Sequence, residues 1–243
     1  NAGGSTGLLL TRLGIRALIL EGAPAQDAWR ILRIGVDGGV FESADDLLGL
    51  GVYEASQRLL ERFGSKVGIT LIGPGGEMGL RSSGVQNLDK DGVASRICAR
   101  GGLGAVMGSK RVKAIVIDAN GGEKPPLADS MLFKAARKHY SEKLLAQPET
   151  KAYADYGTAA MTAMCNSFGG LPTRNFSAGQ FECAEQLSGE TMRDLLLERG
   201  GESETTHACM AGCIIRCSNC FGGPDGKSIV SPVEFETIGL VGS

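Results

Sequence analysis

The sequence has few aromatic residues, no excess of one charge and no long apolar run. Lys and Arg number 25 against 27 Asp and Glu, and Phe, Trp and Tyr together make up 5% of the chain. A nucleic-acid-binding surface needs clustered positive charge, often with aromatic rings that stack on bases, so we expect no nucleic acid as partner. The apolar stretches at residues 17–20 and 113–117 fall far short of the roughly 20 residues that cross a bilayer. We therefore expect a soluble globular protein without a membrane span.

The sequence also lacks a secretory signal and an even number of cysteines. Four of its seven cysteines fall within twelve residues, at Cys209, Cys213, Cys217 and Cys220. A disulfide framework is therefore disfavoured. A reduced, cytoplasmic setting with a metal site fits the pattern better.

The two ends of the sequence and its glycine content are unusual. The chain starts without Met in a glycine-rich stretch and ends at Ser243 without a helix stop signal, which predicts an internal fragment of a longer protein. Glycine makes up 37 of 243 residues, roughly twice its average share of about 7%. Such a content predicts many tight turns or close backbone packing.

Residues 1–120 alternate between short helical and extended patterns. Periodicity and glycine stops predict helices at residues 8–13 and 53–63, and strands at residues 17–20, 29–34, 67–72 and 113–117. These segments predict a mixed α/β domain. The paired glycines and prolines of residues 121–126 predict a linker at its end.

Residues 121–243 show helical patterns with capping signals. Asp129, Thr158 and Ser188 are suited to begin helices that run to about Leu145, Phe168 and Gly200. The fold class predicted for the whole chain is α+β: an incomplete mixed α/β domain over 1–120, followed by a mainly α-helical domain over 121–243.

The cysteine cluster allows three metal sites. Four nearby thiols can hold a structural zinc, although zinc ligands usually come as two pairs separated by a longer connection. Cys213, Cys217 and Cys220 have the spacing of radical S-adenosylmethionine enzymes. Alternatively, Cys209, Cys213 and Cys217 supply three ligands of an iron–sulfur cluster, and a fourth cysteine lies beyond this sequence. On a helix these three would form one stripe.

A glycine-rich segment at residues 100–110 follows Arg96 and Arg100. A glycine turn that enters a helix can present backbone N–H groups to an anion, and arginine can neutralise phosphate. The glycine positions match neither a phosphate-binding loop of nucleotide hydrolases nor a dinucleotide fingerprint. From the segment alone, a tight turn and an anion site both stay open.

This segment, Arg-Gly-Gly-Leu-Gly-Ala-Val-Met-Gly-Ser-Lys, resembles the signature of the aldehyde ferredoxin oxidoreductases. Further stretches that resemble the family occur in the family's order at residues 1–4, 72–77, 156–159, 171–176, 188–190 and 209–217. The resemblance covers essentially the whole chain.

The resemblance implies a tungsten or molybdenum ion held by two pterin cofactors, a nearby [4Fe–4S] cluster and a Mg²⁺ that bridges the pterin phosphates. It implies oxidation of a small aldehyde to a carboxylic acid, with electrons passed to a ferredoxin-like acceptor. Residues 1–120 would then be the end of the pterin-binding domain, and residues 121–243 the start of the domain that carries the cluster cysteines.

The resemblance also implies roles for individual residues. Asn1 and Gly3 match the first pterin-phosphate loop, which shares a main-chain oxygen with the Mg²⁺, and Arg96 and Ile97 match the second. Glu236 matches the carboxylate beside the metal and would move a proton, and Cys209, Cys213 and Cys217 match the cluster ligands.

Several alternatives stay open at this point. Glu234 is the neighbouring candidate for the carboxylate, and His139 and His207 are assigned structural roles. The chain could instead belong to a tungsten or molybdenum reductase of another substrate, to a radical S-adenosylmethionine enzyme, or to a non-catalytic iron–sulfur or zinc module. The choice between the two metals, and association into a homo-oligomer, are left undecided by the sequence.

Overall fold

The computed structural model describes residues 2–22, 24 and 27–242. Its internal contacts divide the chain into two compact units, Asn1–Ala128 and Asp129–Ser243. Each unit has its own buried cluster of apolar side chains, so each is described by itself. Among the described residues, no helix combines the length and the apolar character needed to cross a membrane.

The first unit contains a six-stranded sheet with the order β2-β1-β6-β3-β4-β5. Its strands are β1 Arg30–Gly35, β2 Gly38–Ser43, β3 Gly68–Leu71, β4 Val85–Asn87, β5 Arg96–Cys98 and β6 Val112–Ile117. Only β1 and β6 pair in parallel, and every other pair is antiparallel. The sheet is therefore mixed, and the α/β character predicted for this part of the chain is confirmed.

Within the described part of this unit, four α-helices accompany the sheet: α1 Thr6–Arg12, α2 Val52–Phe63, α3 Pro74–Glu77 and α4 Leu103–Ser109. The core lies between α2, which contributes Leu59, and the central strands, which contribute Ile69 and Val116. Strand β6 is buried along most of its length because it has a neighbouring strand on each side and helices over the sheet. Its Lys113 is fully buried.

The strand predicted at residues 17–20 is wrong. These residues belong to no helix or strand, and Leu18 and Ile19 are exposed. The strands β2, β4 and β5 were not predicted from the sequence, because they are short or show little alternation of apolar and polar residues. Such strands form because neighbouring strands satisfy their backbone groups, which is information from distant parts of the chain.

The second unit combines helices with a small antiparallel sheet. Its helices are α5 Ser130–Leu145, α6 Pro148–Tyr156, α7 Met161–Ser167, α8 Gly189–Arg199 and α9 Phe235–Thr237. The sheet consists of β7 Glu204–His207, β8 Ser218–Gly222 and β9 Ser228–Val230 in the order β7-β8-β9. The prediction of a mainly helical second domain is therefore not confirmed.

Capping explains which of the predicted helices form as expected. The Asp129 carboxylate accepts hydrogen bonds from the N–H groups of Met131 and Leu132 at 2.9 and 2.8 Å, and α5 begins where predicted. The Ser188 hydroxyl accepts from the N–H of Thr191 at 3.1 Å and begins α8. Thr158 does not act as a cap: it lies in a 3₁₀ turn, and α7 begins only at Met161.

Candidate cofactor and metal sites

Three of the four clustered cysteines, Cys209, Cys213 and Cys217, lie in the loop that joins β7 to β8, and Cys220 lies in β8. No helix forms at residues 208–217, so the single helical stripe expected for Cys209, Cys213 and Cys217 is wrong. The loop turns through Gly212 and Arg216, which have φ angles of 80° and 55°. Two local hydrogen bonds stabilise it: the Arg216 N–H donates to Cys213 Sγ at 3.4 Å, and the Thr206 hydroxyl donates to the Arg216 carbonyl at 3.0 Å.

The three thiols nevertheless lie close enough to act on each other electrostatically. Burial raises the pKa of the Cys217 thiol above its ordinary value, and the negative charges of Glu234, Cys213 and Cys209 raise this pKa further. The charges of Glu234, Cys213 and Cys209 thus act on the ionisation of Cys217, and the three cysteines share one loop.

Asn219 of β8 holds Val233, the residue that precedes Glu234. Its amide donates to the Val233 carbonyl at 2.6 Å and accepts from the Val233 N–H at 2.9 Å. This pair of bonds ties the start of β8 to the segment that leads into α9. Gly157, with a φ angle of 63°, packs against the Cys217 carbonyl, where an added Cβ would lie only 2.9 Å from the oxygen.

The fourth clustered cysteine, Cys220, has a different set of contacts. Its Sγ lies 3.8 Å from a Glu204 carboxylate oxygen and 3.6 Å from the Ser231 hydroxyl. Cys220 is also not among the groups that shift the Cys217 pKa. Cys220 thus lies in β8, in contact with Glu204 and Ser231, whereas the other three cysteines lie in the loop before this strand.

The two candidate carboxylates differ in their surroundings. Glu236 is exposed in the short helix α9, whereas Glu234 is partly buried and caps that helix, with its side chain accepting a backbone hydrogen bond at Thr237. The Glu234 N–H in turn donates to the Thr237 hydroxyl at 3.4 Å. The sequence did not predict that Glu234 caps α9, because the usual capping box has Ser or Thr first and Glu three residues later, the reverse of the order found here.

The amino-terminal glycine loop packs against the end of β4. Asn1 lies outside the described residues, and Gly3 is partly buried. Gly4 has a φ angle of 114°, and a Cβ there would lie 2.4 Å from the Leu88 carbonyl oxygen. The Ser5 N–H donates to the same oxygen at 3.0 Å. Only glycine allows the backbone to approach so closely in this conformation.

Asn87 connects this loop to β5. Its side-chain oxygen accepts from the Thr70 hydroxyl at 2.7 Å and from the Thr6 hydroxyl at 3.4 Å. In the sheet register Asn87 pairs with Arg96. The fold therefore brings the glycine loop and Arg96 to the same edge of the sheet, although they are far apart in the sequence.

Arg96 and Ile97 differ in accessibility. The Arg96 side chain is 6% exposed and its guanidinium lies 3.8 Å from the Asp89 carboxylate, while Ile97 is exposed. Asp89 also accepts hydrogen bonds from the N–H groups of Asp91 and Val93 at 2.9 and 3.0 Å and from the Ser95 hydroxyl at 3.0 Å. A closed loop thus holds the Arg96 guanidinium in a fixed position.

The glycine-rich segment around α4 is explained largely by packing. A Cβ on Gly102 would lie 2.4 Å from the Arg81 carbonyl oxygen, and one on Gly104 would lie 2.5 Å from that of Gly84. Gly102 also has a φ angle of 65°, which favours glycine. These residues let the start of α4 lie directly on residues 81–84, so they are accounted for without a bound anion.

Known proteins match this chain over nearly its full length. Residues 1–119 match the N-terminal domain of aldehyde ferredoxin oxidoreductase, and residues 135–243 match domains 2 and 3 of the same family. The chain is 36% identical over 215 residues to the tungsten-containing aldehyde ferredoxin oxidoreductase of Pyrococcus abyssi, a match that covers 88% of this chain and 33% of that protein. The corresponding enzyme of Thermococcus kodakarensis is 34% identical, covering 88% of this chain and 34% of that protein.

The chain therefore spans about a third of the length of the curated relatives it matches. Among solved structures, the active-site complex of benzoyl coenzyme A reductase with 1,5 dienoyl-CoA has a similar fold. Its TM-score is 0.61 at 18% sequence identity, over 95% of this chain and 34% of that one. The family predicted from the glycine and cysteine motifs is confirmed: the chain belongs to the aldehyde ferredoxin oxidoreductase family.

Proposed function

We propose that this chain is part of an oxidoreductase that converts aldehydes to carboxylic acids at a tungsten or molybdenum bis-pterin centre. The observation that carries the proposal is the family match over both parts of the chain, together with Cys209, Cys213 and Cys217 in one loop. When bound, the pterin-held metal would supply the two-electron oxidation, and a [4Fe–4S] cluster would pass the electrons to a ferredoxin-like acceptor.

The cysteine loop has the donors that an iron–sulfur cluster requires. All three thiols are partly buried, so they would be shielded from water yet reachable during assembly. Thiolates bind the iron, so the raised pKa of Cys217 means that iron must displace a firmly held proton. The fourth ligand would come from a cysteine in another part of the whole protein.

The edge of the first unit would hold the pterin phosphates. The backbone of Asn1 and Gly3 would contribute N–H groups for phosphate and an oxygen for Mg²⁺, which prefers hard oxygen ligands. The Arg96 guanidinium and the Ile97 backbone would form the second contact. This assignment is supported by the approach of Gly4 to Leu88 and by the register that pairs Asn87 with Arg96.

A carboxylate of the segment around α9 would move the proton. Glu236 is the residue at the matching family position and is exposed, so it can exchange a proton with water or with an aldehyde hydrate. Glu234 is held by its cap and its charge acts on the Cys217 thiol, which suits it to tuning the cluster environment rather than to proton transfer.

Metal analysis and dye reduction test this function. The protein would be purified without oxygen from cultures supplied with tungstate or molybdate, and assayed for metals, acid-labile sulfide and aldehyde-dependent reduction of a viologen. We expect tungsten or molybdenum together with iron, and dye reduction by aldehydes. Replacing Cys213 by Ser should remove most of the iron, whereas Cys98→Ser, in the first unit, should leave it unchanged. Zinc without iron would contradict the proposal.

The substrate needs its own assay because this fold also occurs in an enzyme named for benzoyl coenzyme A. A shared fold does not fix the substrate. We expect aldehydes to reduce the dye and aromatic thioesters to leave it oxidised. Turnover of a thioester but not of aldehydes would still support the metal centre but would contradict aldehydes as the substrate.

A further inference from the structure

The hairpin of β7 and β8 carries a second group of ligating side chains beside the cysteine loop. One ligand atom from each of Glu204, His207 and Cys220 lies within 4.8 Å of the others. None of these residues belongs to the set Cys209, Cys213 and Cys217. Their function is not explained by the proposed iron–sulfur site.

A β-bulge brings these three residues to one face. Glu204 pairs with Cys220 and His207 pairs with Ser218, with a register shift between the two pairs. In a regular strand, residues three apart point to opposite faces of the sheet. The extra residue of the bulge turns Glu204 and His207 toward the same side, and bulges often re-aim side chains at functional sites.

The distances within the group suit a small ion. His207 Nδ1 lies 2.7 Å from a Glu204 carboxylate oxygen, and Cys220 Sγ lies 3.8 Å from the same oxygen. Ligands at about 2.0–2.3 Å around a tetrahedral zinc stand about 3.3–3.8 Å apart. The sulfur–oxygen distance already fits, and the nitrogen–oxygen distance must open by several tenths of an ångström.

The burial of the three residues permits this adjustment. The His207 side chain is 6% exposed and Cys220 is partly buried, so both are held by the hairpin. The Glu204 side chain is 53% exposed and can shift without disturbing the core. An ion could therefore enter from the Glu204 side.

We propose that Glu204, His207 and Cys220 bind one transition-metal ion of the Zn²⁺ type. Imidazole nitrogen and thiolate sulfur favour Zn²⁺ and similar ions over Mg²⁺ or Ca²⁺, which prefer oxygen. Three protein ligands leave at least one position for water or another ligand. Metal ions bind the neutral imidazole and the thiolate, so we expect binding to release protons.

The site is tested with Co²⁺ in a background that lacks the loop thiols. In a variant with Cys209, Cys213 and Cys217 all changed to Ser, we expect Co²⁺ to bind and to give the near-ultraviolet charge-transfer band of a cobalt–thiolate bond. Adding Cys220→Ser should abolish this band. His207→Ala should weaken binding by at least about tenfold. As a control, Cys183→Ser is added instead of Cys220→Ser. Cys183 is remote from this hairpin in sequence, so its replacement should change neither the charge-transfer band nor the affinity for Co²⁺.

A second measurement uses the unaltered chain, in case the triple variant fails to fold. Saturation with Zn²⁺ should protect Cys220 from alkylation in the wild type. In the double variant Glu204→Gln, His207→Ala, this protection of Cys220 should be lost. Any protection of the loop cysteines by Zn²⁺ should be the same in both proteins. A charge-transfer band that persists without Cys220, or Cys220 alkylation that Zn²⁺ does not slow, would overturn the site. Because neither assay involves iron or aldehydes, these results are independent of the proposed function.

Discussion

Lys113 shows how a single charged residue is accommodated in the centre of a sheet. Its side chain is fully buried, and its ammonium group forms an ion pair with Glu77 and donates to the Leu50 carbonyl at 3.4 Å. The other Glu77 oxygen accepts from the Gly49 N–H at 2.9 Å. A buried charge persists only with such partners, because desolvation costs several kcal/mol for each ion. The pair therefore fixes the loop at residues 49–50 to α3.

Removing the ammonium group should destabilise the first unit strongly. Lys113→Met leaves the Glu77 carboxylate without its cation, and we expect a loss of about 3 kcal/mol in the free energy of unfolding, measured with urea. Lys90→Met removes a solvent-accessible ion pair with Asp91, and should cost less than about 1 kcal/mol. Adding Glu77→Gln to Lys113→Met should restore part of the loss. Equal losses for the two lysine variants would show that the buried ion pair contributes no more to the free energy of unfolding than the exposed pair.

Glu234 should control the ionisation of Cys217 in the metal-free protein. Burial is the first cause of the raised Cys217 pKa, and the Glu234 charge is the second. Glu234→Gln removes that charge but still offers an oxygen to cap α9, so the Cys217 pKa should fall part of the way towards its ordinary value. The thiolate fraction at a given pH then rises, and the pH profile of Cys217 alkylation should move to lower pH.

Glu236→Gln is the matched control for this experiment. Glu236 lies two residues further on, is exposed, and is not among the causes of the Cys217 shift. Its replacement should leave the profile where it was. Alkylation would be followed on the Cys217 peptide by mass spectrometry, and the same displacement in both variants would contradict a specific effect of Glu234.

At the scale of elements, α3 and α4 pack backbone against backbone. A Cβ on Gly108 of α4 would lie 2.0 Å from the Gly76 carbonyl oxygen of α3. Part of the high glycine content noted in the sequence therefore serves close packing as well as turns. Gly7 of α1 is different, because nothing lies within 4 Å of its Cβ position.

These two glycines predict opposite effects of alanine. Gly108→Ala forces α3 and α4 apart and should lower the free energy of unfolding by about 2 kcal/mol or more. Gly7→Ala adds a methyl group in open space within a helix and should raise this energy by about 0.5 kcal/mol. Both would be measured by thermal and urea unfolding. A destabilising Gly7→Ala, or a neutral Gly108→Ala, would mean that the packing argument is wrong.

The sequence predicted those elements whose signals are local. Asp129 and Ser188 cap α5 and α8 with their own side chains, so a few neighbouring residues suffice to place each helix start. Strand β7, with the sequence Glu-Thr-Thr-His, has no apolar alternation and exists because it pairs with β8. Conversely, residues 17–20 are apolar yet belong to no strand of the described structure. Nonlocal pairing decides both cases.

The same limit applies to the sites. Spacing left Cys209, Cys213 and Cys217 as one of three possible ligand sets, and the family motifs selected this set and identified Arg96. The charge of Glu234 acts on Cys217 where Asn219 ties β8 to the segment before α9, and no local pattern encodes this tie. Likewise, His207 lies on the same side as Glu204 because of a bulge in β7.

At the scale of the whole molecule, the two units should unfold as separate cooperative blocks. The main core of the first unit draws its fully buried members from residues 29–116. The second unit has two smaller clusters of four and three buried apolar residues, which include Leu196 and Leu171. Hydrophobic stabilisation scales with the apolar area that is buried. We therefore expect two calorimetric transitions, with that of the second unit at the lower temperature.

Substitutions in one unit assign these transitions. Lys113→Met should lower the midpoint of the upper transition and leave the lower one in place, whereas Leu196→Ala, which empties part of the core beneath α8, should do the reverse. Leu→Ala changes in buried cores cost about 2–5 kcal/mol, which is enough to move a midpoint by several degrees. Residues 1–128, produced alone, should reproduce the upper transition, since the core lies entirely within them. A single transition that both substitutions shift equally would show that the two units fold as one cooperative block.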